Sequence, residues 1–373
     1  MTTPSVTLRP PADRRRRGTL VRTPTQPGRP CPDRGRVTLA LPSLLPTRTR
    51  PWVVWGVLVV LAGVLVALTL TLGELGLGMS DLVATLGGDP PRKVVYVFEV
   101  LRGPRVLVAL GAGAAFGLAG ALFQAVTRNP LGSPDVIGLS SGAGAGVAVA
   151  TLLFPVSASG PVGALAGAAL AIGLVWVSTG RGFDSTARLI IAGIAVAAMA
   201  HGVTQFVVTA TLRDQAAQLA AYLVGSLNAR NWEHVLIIGT VVLVALPVVV
   251  RLAHRFRAME LGDEVSTVLG EPAGRVRTEA VVVSVLLGAG AVSVAGPVLF
   301  ISLMSPHLAR MLTRESGANV CGAALVGAVL LTGADLVVQQ VPWVEGLPVG
   351  VVTAGIGGVY LGHLLLAQWK KQG

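Results

Sequence analysis

Side chains that could do chemistry are scarce in the apolar part of this chain. Asp335 lies inside one apolar run and Glu279 near the start of another, and an acid in such a position is a candidate for proton or ion transfer. Asp335 is close to the end of its run and has no second acid to pair with, so a hydrogen-bonded structural role is favoured. His201 and His307 have no second ligand at metal spacing, which favours scaffolding over metal binding.

The remaining reactive groups give no enzyme pattern either. The two cysteines, Cys31 and Cys321, lie one in a polar tail and one in an apolar run, which fits neither a disulfide framework nor a metal site. No Ser/His/Asp array, HExxH sequence or phosphate-binding glycine loop can be placed. The sequence therefore predicts a chain that is not an enzyme and that itself binds neither a cofactor nor a metal.

The composition indicates what holds these residues. Of 373 residues, 53% are hydrophobic and 13% charged, against about 25% charged in an ordinary soluble domain. Apolar runs near the ~20 residues that cross a bilayer recur from Trp52 onward. We therefore predict an all-α polytopic membrane protein with about ten transmembrane helices. The predicted spans are 52–72, 105–127, 137–154, 160–179, 187–209, 233–252, 277–295, 296–312, 319–338 and 348–366, with a surface or re-entrant helix at 216–227.

Residues 1–50 differ from the rest. They hold eleven Arg and two Asp, or +9 of the net +11, and their Pro, Arg and Thr content is typical of disorder. We interpret them as a basic cytoplasmic tail, with an over-extended gene start as the alternative. The membrane domain is then 51–373. Because the charge lies in a tail rather than on a folded face, no nucleic-acid partner is predicted.

The loop charges set the orientation. With the N-terminus inside, the inner segments after residue 50 carry twelve Lys and Arg and the outer segments six. The positive-inside rule therefore predicts that both termini are cytoplasmic.

The stretch Leu101–Gly146 combines charge, small residues and a break. Arg102 and Arg105 flank a Gly-Pro at its outer end. A polar motif ends its first helix at the inner mouth, where it shapes either the cavity floor or the junction to the next helix. Small residues spaced as GxxxG favour close helix packing. The inner-mouth motif is Gln124, Arg128, Asn129 and Pro130, and the GxxxG pairs are Gly113/Gly117, Gly142/Gly146 and Gly358/Gly362.

The inner loop 252–276 is of another kind. It mixes charges with the apolar residues Leu261, Val265, Val268 and Leu269, which a merely solvated loop does not need. Its length suits two short helices joined by a bend. We favour partner docking here, with amphipathic capping of the membrane face as the alternative.

Five segments in this order resemble one family. They are LRGPRVLVALGAG, QAVTRNPLGSPDVIGLSSGAGAG, MELGDEVSTVLG, AGPVLFISLMSPHLAR and GLPVGVVTAGIGGVYLGHLL. The chain resembles the FecCD/BtuC-like permease subunits of type II ATP-binding-cassette (ABC) importers for iron–siderophore, haem and vitamin B12 complexes. The wording of the second segment is most similar to the ferric-enterobactin permeases.

The resemblance implies a BtuC-like permease fold with ten spans in the bacterial cytoplasmic membrane, and a substrate that carries Fe(III). It implies a second, related permease chain as a heterodimer partner, two copies of an ATPase that binds ATP and Mg²⁺, and an extracytoplasmic siderophore-binding protein. The residues implied for ATPase coupling are Glu260, Leu261, Gly262, Asp263, Glu264, Leu269 and Gly270, and those for binding-protein docking are Arg102, Arg105, Gln339 and Gln340.

Two departures bear on the substrate. Gly103 stands where a larger apolar residue is common, and Gln339 and Gln340 stand where vitamin B12 permeases have a further outer arginine. One docking contact is therefore expected to be weaker or to be supplied by the partner permease, and vitamin B12 is disfavoured. The resemblance itself favours a ferric siderophore as the cargo, with haem or vitamin B12 as the alternative within the family. A stand-alone secondary transporter would need buried coupling acids or broken helices in repeated halves, and only Asp335 is offered.

Overall fold

The backbone of an apolar segment in lipid must satisfy its own hydrogen bonds, so such segments become helices. The computed structural model describes residues 49–373 apart from 74–76, 79–80, 82–83, 85–90, 154–155, 181–185, 211–221, 261, 269, 316 and 373. The predicted tail lies almost wholly outside this part of the chain. The first half of the predicted helix at 216–227, up to residue 221, also lies outside it, and in the second half only residues 222–224 are helical.

The described residues form helices and connecting turns, with no strand among them. We number the helices in chain order. They are α1 Thr49–Thr71, α2 Arg92–Tyr96, α3 Gly103–Thr127, α4 Leu139–Leu153, α5 Val156–Ser178, α6 Thr186–Ala210, α7 Trp232–Met259, α8 Asp263–Val268, α9 Ala273–Ala295, α10 Ile301–Thr313, α11 Val320–Gln340 and α12 Val349–Gln372. A π-turn, Val97–Leu101, joins α2 to α3, and a 3₁₀ turn, Pro134–Ile137, precedes α4.

Each of the ten predicted spans corresponds to one helix, which confirms the all-α membrane architecture. Among the described residues seven helical stretches are long and apolar enough to cross a bilayer, and Leu139–Leu152 and Val349–Leu364 are shorter apolar helices. The span predicted at 296–312 starts too early, because α10 begins only at Ile301. Gly296 and Phe300 have φ of 72° and 68°, and these left-handed residues keep the segment between them out of the helix.

The inner loop is shorter than predicted. Helix α7 continues to Met259 and α9 begins at Ala273, so most of the basic residues of 252–276 are helical. One short helix, α8, lies between them in the described part of this loop, where two short helices are predicted.

Helix α3 is the centre of the bundle and packs on α11, α9, α10 and α7. Most of its residues are buried although it carries few large side chains. A Cβ on Gly117 would lie 2.1 Å from the carbonyl oxygen of Ala323, and one on Gly113 would lie 2.4 Å from that of Gly327. The backbones of α3 and α11 therefore touch directly, as in tightly packed membrane helices.

Candidate functional site

Contacts between helix ends define two ends of the bundle. At one end the start of α3 meets the last residues of α1 and α11. At the other end the last residues of α3 and α7 meet the start of α9 and α8. The loop charges predict that the first is the outer end and the second the inner end, and these names are used below.

At the outer end Arg102 closes α1. Its Nη1 donates to the carbonyl oxygen of Thr69 at 2.7 Å and to that of Leu72. These carbonyls have no partner within a helix that stops there. Arg102 is 9% exposed, so its charge serves this junction and very little of it reaches the surface.

Arg105 forms a bidentate ion pair with Asp335. Its Nη2 donates to Oδ1 at 2.7 Å and its Nε to Oδ2 at 2.9 Å, and the two side chains are 17% and 2% exposed. Gln339 donates to the same carboxylate at 2.7 Å, and Gln340 lies beside Gly73 next to Arg102. The structure thus brings the four predicted docking residues together and gives Asp335 a hydrogen-bonded place among them.

The local backbone geometry explains why residue 103 is glycine. A Cβ there would lie 1.9 Å from the carbonyl oxygen of Phe98 in the π-turn, closer than real atoms approach. The turn that sets Arg102 against α1 therefore requires glycine at this position.

Alanine at position 103 is expected to lower the thermal stability of the purified protein, because the π-turn must open and withdraw Arg102 from α1. The matched control is Gly173→Ala, where a Cβ meets nothing within 4 Å. Equal stability of the two variants, measured by thermal denaturation in detergent, would contradict this account.

At the inner end the predicted motif forms the end of α3 and the wall of a cavity. Gln124 donates to the carbonyl oxygen of Leu303 at 3.0 Å and accepts from Arg310 at 2.7 Å. Arg128 ends the helix with φ 49°. Asn129 and Pro130 follow in a turn, and all four motif residues line a cavity of about 450 Å³.

Arg128 continues to α8. Its Nη2 donates to the carbonyl oxygen of Met259 at 3.0 Å and to Oδ1 of Asp263 at 2.7 Å, while Arg277 donates to Oδ2 of Asp263 at 2.6 Å. Burial raises the pKa of the Asp263 carboxyl, but the hydrogen bonds and charges of Arg277 and Arg128 together outweigh burial and lower that pKa below its usual range. Asp263 is therefore ionised at neutral pH.

Helix α8 has two faces. Asp263 and the fully buried Ser266 face the protein, and Ser266 donates to the carbonyl oxygen of Glu271 at 2.7 Å. Glu264, Val265 and Val268 face outward, with Val268 87% exposed. Among the other predicted coupling residues, Glu260, Gly262 and Gly270 flank α8, whereas Leu261 and Leu269 lie outside the described residues.

Sequence reasoning did not single out Asp135, which the fold buries between α3 and α4. Its carboxylate accepts from Ser140, from Ser133 at 3.0 Å and from Ser302 of α10 at 3.4 Å. Burial raises its pKa, against the effect of these three hydroxyl groups. The contact joins the loop after α3 to the start of α10, and no local sequence pattern predicts it.

The remaining predicted residues are placed as follows. Gly142 and Gly146 pack against Gly167 and Gly163 of α5, while a Cβ on Gly358 or Gly362 would meet nothing within 4 Å. His201 lies exposed on α6, and His307 packs edge-on against Tyr360. Glu279 pairs with Arg251 and Arg255. In the part of the chain that the structure describes, no three His, Cys, Asp or Glu residues lie close enough to hold a metal.

Comparison with known proteins supplies a family for this arrangement. The model of the FecCD transport family matches residues 59–367. The chain is 39% identical over 301 residues to the ferric enterobactin transport system permease protein FepG of Escherichia coli, covering 80% of this chain and 91% of that one. It is 36% identical to the Fe(3+)-citrate import system permease protein YfmE of Bacillus subtilis, covering 87% and 97%.

A solved structure has the same fold. It is a metal-chelate type ABC transporter in an inward-facing conformation, with a TM-score of 0.73 and 24% identity, and the match covers 85% of this chain and 99% of that one. The helix order, the family match and these relatives agree over nearly the whole membrane domain. This chain is a member of the FecCD transport family.

Proposed function

We propose that this chain is the permease subunit of an ABC importer that carries a ferric siderophore across the bacterial cytoplasmic membrane. The observation that carries the proposal is the identity of 39% with a ferric enterobactin permease over 91% of that protein's length. The chain is a multi-pass membrane protein of the FecCD transport family. Within the proposal its cargo is of the catecholate, enterobactin type.

The partners in this proposal supply what the chain lacks. A related second permease chain completes the substrate path, two ATPase subunits bind ATP and Mg²⁺, and a binding protein delivers the ferric chelate from outside. A large polar chelate cannot dissolve in lipid, so a path between helices must replace its hydration. The chain itself hydrolyses nothing.

The outward face of α8 supports ATPase docking. Val268 is 87% and Val265 45% exposed, and Glu264 lies beside them. Apolar side chains this exposed on a short surface helix suit a partner interface. Closure of the ATPase dimer on ATP would then displace α8 and rock the membrane helices between two access states.

Docking of the binding protein at Arg102 and Arg105 stays a prediction. Both guanidinium groups bind acceptors of this chain and little of either is exposed. Reversing both charges should lower uptake, and unchanged uptake would count against the assignment.

The cargo is tested by uptake. The importer subunits, including this chain, are supplied to a strain in which their genes are deleted. Under iron limitation this strain should take up radiolabelled iron from ferric enterobactin in preference to Fe(3+)-citrate or hemin. Preference for either of the other two compounds would overturn the enterobactin assignment. Uptake of none of the three would overturn the siderophore function.

The docking face is tested separately. Val268→Asp should abolish co-purification of the ATPase, because a charge replaces apolar contact area. Ser178→Asp adds the same charge on an exposed residue at the predicted inner end of α5 and should leave co-purification intact. An ATPase that still co-purifies with the Val268→Asp protein would contradict docking at α8.

A further inference from the structure

The α8 carboxylate Asp263 is shared between two membrane helices. One oxygen accepts from Arg128 at the end of α3, and the other accepts from Arg277 in the first turns of α9. The same Arg128 nitrogen also binds the carbonyl oxygen of Met259, the last residue of α7. The inward face of α8 is thereby attached to the end of α3 by Arg128 and to the start of α9 by Arg277, and Arg128 also contacts the end of α7.

The contact between Arg128 and Asp263 is too exposed to serve mainly as stabilisation. The Arg128 and Asp263 side chains are 52% and 42% exposed, and ion pairs at such sites add little to the free energy of folding. The pair instead constrains the positions of the two helices. If α8 moves, either the end of α3 moves with it or the ion pair breaks.

Helix α3 is the helix on which such a constraint has most effect. Its 25 residues span about 37 Å, and its backbone touches α11 at Gly113 and Gly117 and α10 at Gly120. Its outer end is held by Arg102 and Arg105. Helices in backbone contact cannot deform locally, so movement at Arg128 displaces α3 together with its neighbours.

We propose that Arg128 is the positioning residue that passes movement of α8 to α3, through its ion pair with Asp263. The proposal rests on the proposed function, since it takes α8 to be the element that the ATPase displaces. It divides α8 into two roles: Glu264, Val265 and Val268 contact the ATPase, whereas Asp263 connects the helix to the membrane domain.

The test uses the complete importer in liposomes, with the binding protein outside, ATP inside and ferric enterobactin as the probe. Arg128→Gln should retain the ATPase on co-purification, because the outward face of α8 is untouched. Uptake per ATP hydrolysed should fall by about tenfold, the size of a typical coupling between sites. Asp263→Asn should give the same fall, and the double variant should be no worse than either single one, as expected for residues that act as a unit. Arg128→Lys keeps the charge and should restore most of the ratio.

The matched control is Arg251→Gln. Arg251 is 59% exposed on α7 and pairs with Glu279, so it resembles Arg128 in exposure and pairing but reaches neither α8 nor α3 in this pair. Its ratio should equal that of the wild type. A wild-type ratio in Arg128→Gln, effects of the two single variants that multiply in the double, or failure of both single variants to accumulate would each overturn the proposal. A wild-type complex that takes up no iron chelate would instead overturn the proposed function.

Discussion

Replacing Arg105 with leucine is expected to destabilise the protein by roughly 3–5 kcal/mol, the cost of leaving a buried charge without its partner. Asp335 is 2% exposed, and in the variant only Gln339 would still donate to its carboxylate among the contacts of the outer end. Thermal denaturation of the detergent-solubilised protein measures the loss, and uptake of the ferric chelate should fall with it.

The double variant separates stability from docking. Arg105→Leu together with Asp335→Leu replaces a buried ion pair by apolar groups, which is often neutral for stability, so most of the melting temperature should return. If Arg105 also binds the binding protein, the double variant is stable and still deficient in uptake. If its role is structural, uptake returns with stability. A double variant as unstable as the single one would contradict the ion pair as the cause.

Gly117→Ala is expected to have the second large effect, with a sign opposite to the usual one. Glycine to alanine inside a helix normally stabilises by roughly 0.5–1 kcal/mol. Here the new methyl group would lie 2.1 Å from the carbonyl oxygen of Ala323, and a backbone atom cannot rotate away as a side chain can. The helices must separate, and overpacking of this kind costs roughly 1–3 kcal/mol.

The same control, Gly173→Ala, applies to this variant. Position 173 lies on an exposed face of α5 with nothing within 4 Å of the added carbon, so its melting temperature should stay equal or rise. A Gly117→Ala protein as stable as this control, with normal uptake, would show that α3 and α11 are not packed backbone to backbone.

Much of the fold follows from local sequence. Apolar runs of membrane-spanning length must become helices in lipid, and this placed all ten spans. The observed helix ends differ from the predicted span ends where local chemistry competes with apolarity. Arg255 and Arg257 were predicted as loop residues, yet they continue α7 because long basic side chains extend from a helix end into water. The left-handed backbone at Gly296 and Phe300 delays the start of α10 to Ile301. Hydropathy does not record backbone conformation.

The sequence predicted most residues of the candidate site but few of the contacts between them. The outer arginines, the inner-mouth motif and the α8 loop were all visible as polar groups at the borders of apolar runs. The pairing of Arg105 with Asp335 was missed, although Arg105 begins its predicted span at the outer end and Asp335 lies within a few residues of the outer end of its own, so that both are at similar depth. That depth is the signal that could have found it.

By itself, the sequence determined that this is a helical membrane protein and where its charges meet the membrane borders. It also carried the family resemblance that the comparisons confirm. The tertiary structure decided which groups the arginines at the two ends of α3 contact. Arg102 and Arg105 bind acceptors within the outer end, and Arg128 pairs with Asp263 of α8. The physical reason is that hydropathy and spacing act along one helix. An ion pair or a glycine contact depends on which helices lie side by side, and residues more than two hundred positions apart, such as Arg105 and Asp335, meet only when the bundle is assembled.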